Sequence, residues 1–221
     1  MTAYKCFLGD ESYNLMVQEI LKHEKNHNED YFYKIRELDR EDNYHKLPNY
    51  KKAARLIYLN KACFNGLYRV NKKGFFNVPS AKRKVVNAYN EALFKGIKGY
   101  FDSANINVLT GDFEVAVENA KKGDFVYFDP PYDTFEGDNN FTTYTKNSFD
   151  RNEQIRLANI YKELDKRGVY VMLSNHNTKF IRELYQDFNI SIHHARRNIN
   201  SKGDGRGNVE EVVITNYKKN N

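Results

Sequence analysis

The chain has no tryptophan, only two cysteines and only four prolines among its 221 residues. The cysteines, Cys6 and Cys63, form no disulfide framework and no metal-binding spacing, so we predict a reducing, cytoplasmic environment. No apolar run is long enough to cross a membrane, and no signal-peptide pattern opens the sequence. We therefore expect a soluble intracellular protein.

Metal-binding patterns are also missing. The histidines that attract attention, His176, His193 and His194, have no cysteine or carboxylate partners at ligand spacing. We predict that they are ordinary polar residues and that the protein has no metal site.

Positive charge and aromatic rings are abundant. The formal net charge is +6, and the chain carries 17 tyrosines and 15 phenylalanines. Basic charge suits a polyanionic partner and flat rings suit stacking on bases, although both are equally compatible with a soluble protein and a filled core. The length allows one α/β core, or such a core with a small inserted domain.

The most informative stretch runs from residue 123 to residue 132. A turn at Gly123-Asp124 leads into the apolar run 125–128, which predicts a buried strand. The strand must stop at Asp129-Pro130-Pro131-Tyr132, because two prolines remove two backbone donors and fix φ. A stiff loop at the carboxyl end of a strand is typical of a ligand site in an α/β sheet.

This loop offers hydrogen-bond acceptors and one ring. Prolines leave carbonyl oxygens without competing N–H groups, Asp129 adds a charged acceptor, and Tyr132 offers a face for stacking. Such groups could accept hydrogen bonds from an exocyclic amino group, which is a weak nucleophile. They would position it and stabilise the positive charge that develops on its nitrogen. The alternative is a proline-stiffened turn that only ends a strand, which we consider less favoured in this context.

The motif resembles the catalytic signature of DNA methyltransferases that modify amino groups with S-adenosylmethionine. Among these, the chain looks like the adenine-specific D12 class with the Dam-type and Dpn-type enzymes. Further matches are NKACFNGLYRVN at 60–71, GFFNVP at 74–79, GDF at 111–113, FTTYT at 141–145, LSN at 173–175 and EEVVITNY at 210–217. The resemblance covers nearly the whole chain from about Tyr31 onward.

The resemblance implies an α/β fold with a Rossmann-like methyltransferase core and an inserted, mainly helical target-recognition domain that carries a β-hairpin. We assign residues 1–30 to a remnant of the core and a linker helix, 31–104 to target recognition, and 105–221 to the catalytic core. Family members open with a strand and a glycine-rich turn for the cofactor. No Gly-x-Gly lies near the start here, so we expect a core truncated at its N-terminus.

The resemblance also assigns roles within the core. Asp129 and the carbonyl of Pro130 would accept from the amino group of a flipped adenine, Tyr132 would stack on it, and Pro131 completes the motif. Asp112, Phe113 and Asp129 would bind S-adenosylmethionine. From the residues alone, Asp112 could instead cap a helix from 113 to 121, and both roles can coexist.

The element that we expect to contact DNA is a β-hairpin, with strands at 67–70 and 75–78 and a turn at 71–74. Basic residues follow it at 82–84, where they could contact phosphates. The assigned DNA contacts are Arg69, Asn71, Asn77, Pro79, Lys82 and Tyr144. Relatives usually carry an aromatic residue and a glycine after Asn-Val-Pro, whereas Ser80 and Ala81 stand here, which leaves the target sequence open.

The remaining pattern predicts helices at 11–23, 31–37, 51–59, 152–167 and 179–188, and strands at 106–109, 170–173, 190–193 and 209–217. Their alternation predicts a parallel sheet with helical crossovers. The breaker-rich segment 133–140 is expected to be mobile, with 141–144 closing over bound DNA, and 198–208 is expected to be a flexible basic loop.

Three functions remain open. The first is site-specific methylation of N6 of adenine in duplex DNA, with the cofactor segment either supplied by a separate chain or lost. The second is an inactive DNA-binding fragment or one half of a split methyltransferase. The third is methylation of RNA or protein, against which the predicted hairpin domain argues. The recognised site, any paired restriction enzyme and the oligomeric state do not follow from the sequence.

Overall fold

The computed structural model describes residues 2–134, 149–196 and 208–218. The chain divides into two compact units, Met1–Thr110 and Gly111–Asn221, each with its own hydrophobic core. Residues 135–140 of the segment predicted at 133–140, the segment predicted at 141–144 with Tyr144, and most of the basic loop 198–208 lie outside the described residues.

The first unit is mainly helical. Its helices are α1 (Thr2–Lys5), α2 (Asp10–Lys25), α3 (Glu29–Glu37), α4 (Asn49–Ala62) and α5 (Glu91–Ser103), with 3-10 turns at Cys6–Leu8, Leu38–Arg40, Tyr44–Lys46 and Phe64–Gly66. The helices predicted at 11–23, 31–37 and 51–59 are confirmed as α2, α3 and α4.

Side-chain caps and a shared core explain these helices. The Asn28 side chain accepts from the Tyr31 N–H at the start of α3, and Asn90 accepts from Leu93 at the start of α5. Helices α2, α3 and α4 bury one face each in the same core, whose fully buried members include Met16, Ile20, Phe32, Tyr58 and Leu59. Residues 1–30 thus share a core with the residues that follow them.

The predicted hairpin is present only as a turn with irregular arms. The Asn71 N–H donates to the Phe75 carbonyl and a single antiparallel bridge joins Val70 to Phe76, but no regular strand forms at 67–70 or 75–78. Beyond this bridge only the Asn77 N–H donates across the arms, to the Arg69 carbonyl at 3.0 Å, and Pro79 directly after the second arm has no N–H with which to extend the pairing. The strand predictions there were wrong, and the turn prediction is confirmed.

The strand predicted at 106–109 is also wrong. This segment has an extended alternating pattern, but no described residue pairs with it, and Leu109 is exposed. A segment with alternating apolar residues forms a strand only where a neighbouring strand supplies hydrogen-bond partners for its backbone.

The second unit combines a sheet with helices. Its elements are α6 (Phe113–Val117), β1 (Phe125–Phe128), α7 (Arg151–Lys166), β2 (Tyr170–His176), α8 (Lys179–Leu184), β3 (Asn189–Arg196) and β4 (Asn208–Thr215). The strand order is β1-β2-β4-β3. Strands β1 and β2 run parallel, with Phe128 beside Leu173, whereas β4 runs antiparallel to both β2 and β3.

The sheet is therefore mixed, and the prediction of a parallel sheet holds only for β1 and β2. Strands β1, β2 and β3 run in one direction, and β4 inserts antiparallel between β2 and β3, so β3 does not pair with β2. A four-stranded mixed sheet with packed helices fits a methyltransferase fold.

One face of this sheet carries the core of the unit. The Asp150 side chain accepts from the N–H groups of Asn152 and Glu153 and caps the start of α7. Helix α7 then packs on β2 and contributes buried residues to a core that includes Leu157, Tyr161, Leu164, Val171, Leu173, Val212 and Ile214. None of the helices in the described part of the chain combines the length and apolar character needed to span a membrane.

Candidate active site

The Asp129–Tyr132 loop lies at the carboxyl end of β1, as predicted. Strand β2 is parallel to β1 and ends at the same edge with Ser174, Asn175 and His176. Asp129 is exposed and Tyr132 is partly buried, so both side chains are accessible to a ligand at this edge.

Two hydroxyl groups approach the Asp129 carboxylate. Ser174 Oγ donates to Asp129 Oδ1 at 3.0 Å, and the Tyr127 hydroxyl lies 2.8 Å from Ser174 Oγ. Ser174 is buried within β2. The carboxylate therefore has one oxygen tied to the sheet.

Two buried amide side chains hold the backbone around Tyr132. Gln154 Nε2 donates to the Pro131 carbonyl at 2.8 Å, and Asn175 Nδ2 donates to Gln154 Oε1 at 3.2 Å. Asn175 Oδ1 in turn accepts from the Asp133 N–H at 2.9 Å. Since Gln154 and Asn175 are almost fully buried, this chain of amides fixes the loop on both sides of Tyr132.

Asp133 is a second anchor. Its buried carboxylate faces the Arg151 guanidinium, with Nε to Oδ1 at 3.2 Å, and accepts from Thr178 Oγ1 at 2.7 Å. His176 Nδ1 donates to the Asp133 carbonyl at 2.6 Å, and the His176 ring meets the Tyr132 ring edge-on at 5.0 Å. Asp133 therefore does not belong to the mobile segment predicted at 133–140.

The environment of Tyr132 keeps its phenol protonated. Burial is the main cause that raises the Tyr132 pKa, and the Asp129 and Glu211 carboxylates act in the same direction, while a hydrogen bond with Ser174 opposes them. Tyr132 is thus suited to stacking and hydrogen bonding, and unsuited to act as a base near neutral pH.

Asp112 and Phe113 are brought near the loop. The Phe113 ring packs against the rings of Phe128 and Phe149, at centroid distances of 6.4 Å and 5.9 Å. Because Phe128 directly precedes Asp129, this contact places the start of α6 beside the end of β1. The predicted cap is confirmed, since Asp112 Oδ1 accepts from the Glu114 N–H at 2.9 Å.

Asp112 also forms a bidentate ion pair. Arg156 Nη1 and Nη2 donate to its two carboxylate oxygens at 2.9 and 2.7 Å, and the guanidinium lies 4.1 Å from the centre of the Phe113 ring. The Arg156 hydrogen bonds and the Glu114 N–H lower the Asp112 pKa from 3.8 to about 2. Asp112 therefore remains an ionised acceptor at any physiological pH.

The predicted DNA contacts other than Tyr144 lie in the first unit. Arg69 Nε donates to Asn77 Oδ1 at 2.7 Å, and Asn71 Oδ1 accepts from the N–H groups of Lys73 and Phe75. These bonds shape the turn 71–74, on which Asn71 to Gly74 are all exposed.

Pro79 and Lys82 continue from this turn. The Pro79 carbonyl accepts from the Phe64 N–H at 2.9 Å, and the exposed Lys82 ammonium lies 3.8 Å from a carboxylate oxygen of Glu29. Both residues are on the surface, where a polyanion could reach Lys82.

A buried ion pair supports the same turn. Asp39 Oδ2 accepts from the Phe76 N–H at 2.8 Å and from Arg55 Nη2 at 2.9 Å. A cleft of about 340 Å³ lies beside it, lined in part by Tyr44, Lys52, Arg55, Tyr68 and Phe76. The charged groups of Asp39 and Arg55 are paired with each other at this cleft.

Sequence reasoning missed the residues that position the loop. Ser174 and Asn175 lay in a segment that resembles the family but received no role, and Asp133, Arg151 and Thr178 received none either. Polar residues at the end of an apolar strand were the available signal, because such residues collect at ligand-binding sheet edges. Among the described residues, no three His, Cys, Asp or Glu side chains lie together as a metal site.

Comparison with known proteins identifies the family of the chain. The family model of D12 class N6 adenine-specific DNA methyltransferases matches residues 1–199. The type II methyltransferase M.MjaIII of Methanocaldococcus jannaschii is 41% identical over 98% of this chain and 76% of its own length. The type II methyltransferase M1.LlaDCHI of Lactococcus lactis subsp. cremoris is 39% identical over 91% of this chain and 71% of its own.

A DNA adenine methylase of Escherichia coli (strain K12) is also similar, at 33% identity over 74% of this chain and 58% of that protein. The family match covers most of the sequence, including the Asp129–Tyr132 loop and the residues that position it. The chain belongs to the D12 class N6 adenine-specific DNA methyltransferase family.

Proposed function

We propose that the protein transfers a methyl group from S-adenosylmethionine to N6 of adenine in duplex DNA, at the Asp129–Tyr132 loop. The observation that carries this proposal is the loop itself, an accessible carboxylate and ring held rigidly at the carboxyl end of β1 by Gln154 and Asn175. Rigid acceptors can position a weak nucleophile without reorganising during the reaction.

The residues at this edge fit the methyl donor. Phe113 offers a partly exposed apolar ring, Asp112 offers an ionised acceptor for an amino group, and Asp129 offers negative charge for a sulfonium. When bound, S-adenosylmethionine supplies an electrophilic methyl group. The protein's task is then to bring the amino nitrogen into line with it.

We assign that task to three groups. Asp129 and the Pro130 carbonyl accept hydrogen bonds from the two N–H groups of the adenine amino group and stabilise the positive charge that develops on its nitrogen. The methylated nitrogen then loses one of these protons to solvent. Tyr132, held at one edge by His176, stacks on the base. Because a base inside a duplex cannot reach this loop, the adenine must be flipped out of the stack. No covalent enzyme intermediate is required.

We further propose a division of labour within the chain. Residues 31–104 read the DNA target, with Arg69, Asn71, Asn77, Pro79 and Lys82 at or near the turn, and residues 105–221 carry the chemistry in a Rossmann-like core. The exposed basic turn supports the first assignment, because lysines and arginines position proteins on phosphates.

Nucleoside analysis tests the proposal. The purified chain is incubated with methyl-labelled S-adenosylmethionine and an adenine-containing duplex, and in parallel with RNA and with protein. We expect N6-methyldeoxyadenosine from the duplex alone. Label in RNA or in protein instead of the duplex would overturn the assignment.

Calorimetry with S-adenosylmethionine, with and without duplex, separates the remaining possibilities. Binding by the chain alone supports a self-sufficient enzyme. Duplex binding without cofactor binding, and without transfer, would instead indicate a DNA-binding protein that needs its cofactor segment from a second chain.

A further inference from the structure

We propose that Ser174 and Tyr127 are positioning residues for catalysis: a hydrogen-bond chain from Tyr127 through Ser174 fixes Oδ1 of Asp129 and leaves Oδ2 aimed at the substrate amino group. The inference rests on the proposed function of Asp129. It adds two residues that do not themselves touch the substrate.

Strand geometry explains why the three side chains meet. Tyr127 and Asp129 are two residues apart at the end of β1, and side chains at that spacing share one face of a sheet. In the parallel register Tyr127 lies beside Met172 and Phe128 beside Leu173, so Ser174 follows beside Asp129. The hydroxyl groups and the carboxylate therefore converge on one face.

The chemistry of the groups fixes the direction of both hydrogen bonds. An ionised carboxylate only accepts, so the single hydroxyl hydrogen of Ser174 goes to Asp129 Oδ1, over 3.0 Å. Ser174 Oγ can then only accept from Tyr127, whose hydroxyl lies 2.8 Å away. The Tyr132 hydroxyl also hydrogen-bonds with Ser174 and Asp129, so the chain from Tyr127 ends on a carboxylate that Tyr132 contacts as well.

Ser174 is a rigid support for this bond. Its side chain is buried, and β2 is held on both sides, by β1 at Leu173 and by β4 through the pairing of Ser174 with Val213. Asp129 is exposed on a loop, where an untethered carboxylate would sample several rotamers. Fixing one oxygen orients the other, and small misplacements of a reacting group are costly in rate.

Four variants test the chain. Ser174→Ala removes the donor to Asp129, and we expect kcat to fall about 10- to 100-fold. Tyr127→Phe removes only a phenol hydroxyl on a half-exposed ring, and a smaller fall of about 3- to 10-fold is expected. Ser174→Thr keeps the hydroxyl and should restore most of the activity. Tyr170→Phe removes an exposed phenol at the far end of β2 and should leave kcat unchanged.

A double variant distinguishes a linear hydrogen-bond chain from a general disturbance of the structure. In the Ser174→Ala background, Tyr127→Phe should have no further effect, because its only route to Asp129 is already broken. KM for the duplex and the affinity for S-adenosylmethionine should stay within about twofold throughout, since the chain acts on orientation. Equal effects of Tyr127→Phe in both backgrounds, or a loss confined to KM, would overturn the proposal.

Crystal structures of the variants provide a readout that does not depend on turnover. We expect one ordered Asp129 rotamer in the unmodified protein and in Tyr170→Phe, and a rotated or split carboxylate in Ser174→Ala. An unchanged rotamer in Ser174→Ala would contradict the positioning role even if the unmodified protein transfers no methyl group. Absence of transfer with the expected rotamer change would count against the proposed function alone.

Discussion

At the residue scale, Asp112 has two structural roles, and its sequence context predicted only the first. It caps α6 by accepting a hydrogen bond from the Glu114 N–H, and it also accepts hydrogen bonds from Nη1 and Nη2 of Arg156. Arg156 lies 44 residues further along the chain, so no local pattern could reveal this ion pair. A cofactor amino group at Asp112 would therefore meet a carboxylate that is already held in place.

This arrangement predicts an unusual titration. Asp112 should titrate near pH 2, and Arg156→Gln should move its pKa toward 3.8, because the hydrogen bonds from Arg156 are the largest cause of the shift. Since the folded pKa is lowered, the stabilising contribution is present above about pH 4 and is lost as the pH falls toward 2. Carbon-detected NMR titration of the Asp112 carboxyl measures this directly.

Lys166→Gln is the matched control, because it removes the same charge from an exposed position on α7. It should leave the Asp112 titration unchanged. An Asp112 pKa near 3.8 in the unmodified protein would show that the ion pair does not form in solution.

At the scale of elements, the loop after β1 depends on α7 and β2 for its shape. The buried side chains of Gln154 and Asn175 carry a hydrogen-bonded link from the Pro131 carbonyl to the Asp133 N–H. Buried polar chains of this kind are stable only when every member is satisfied. The rigidity of the loop therefore comes from these two elements as much as from its prolines.

Gln154→Leu should break this link. The change leaves the Pro131 carbonyl and the Asn175 amide without their partner, so we expect a loss of about 1–3 kcal/mol in the free energy of unfolding. Turnover should fall while duplex affinity is maintained, because the loop loses its shape and not its charge. Urea denaturation and steady-state kinetics measure the two effects.

Asn159→Ala serves as the control on the same helix, at an exposed position. It should change neither the unfolding midpoint nor turnover. Full activity of Gln154→Leu would mean that the prolines alone hold the loop.

Sequence patterns predicted elements well where local chemistry decides them. The helical spacing at 11–23, 31–37 and 51–59 and the apolar run 125–128 are local signals, and α2, α3, α4 and β1 formed. The expectation that β1 is buried was wrong for Phe125 and Tyr127, whose side chains are more than half exposed. The segment 106–109 failed because a strand needs a partner, and the antiparallel insertion of β4 could not be predicted because strand order depends on distant residues.

In the candidate site, too, local patterns were predictive and long-range contacts were not. The motif Asp129–Tyr132 and the pair Asp112 and Phe113 were found from short patterns, and their assigned catalytic and cofactor roles remain predictions. The residues that hold this loop in place, Ser174, Asn175 and Asp133, were missed, because they come together only when β1, β2 and α7 pack.

At the scale of the whole molecule, the net charge of +6 predicts binding to duplex DNA that weakens as salt increases. Lys82→Ala should reduce the slope of log K against log salt by about 0.9, the value for one lost phosphate contact. Lys95→Ala, which removes an equally exposed lysine paired with Glu91, should leave the slope unchanged. Equal slopes for both variants would remove Lys82 from the DNA interface.

The most direct test of the whole account compares the unmodified chain with Asp129→Ala in two measurements on one target duplex, turnover with S-adenosylmethionine and equilibrium affinity for the duplex. The account predicts a loss of turnover of at least about 10²-fold with duplex affinity within about twofold, because Asp129 acts on the reacting nitrogen and not on the DNA backbone. Retained turnover, or an equal loss of turnover and affinity, would contradict it.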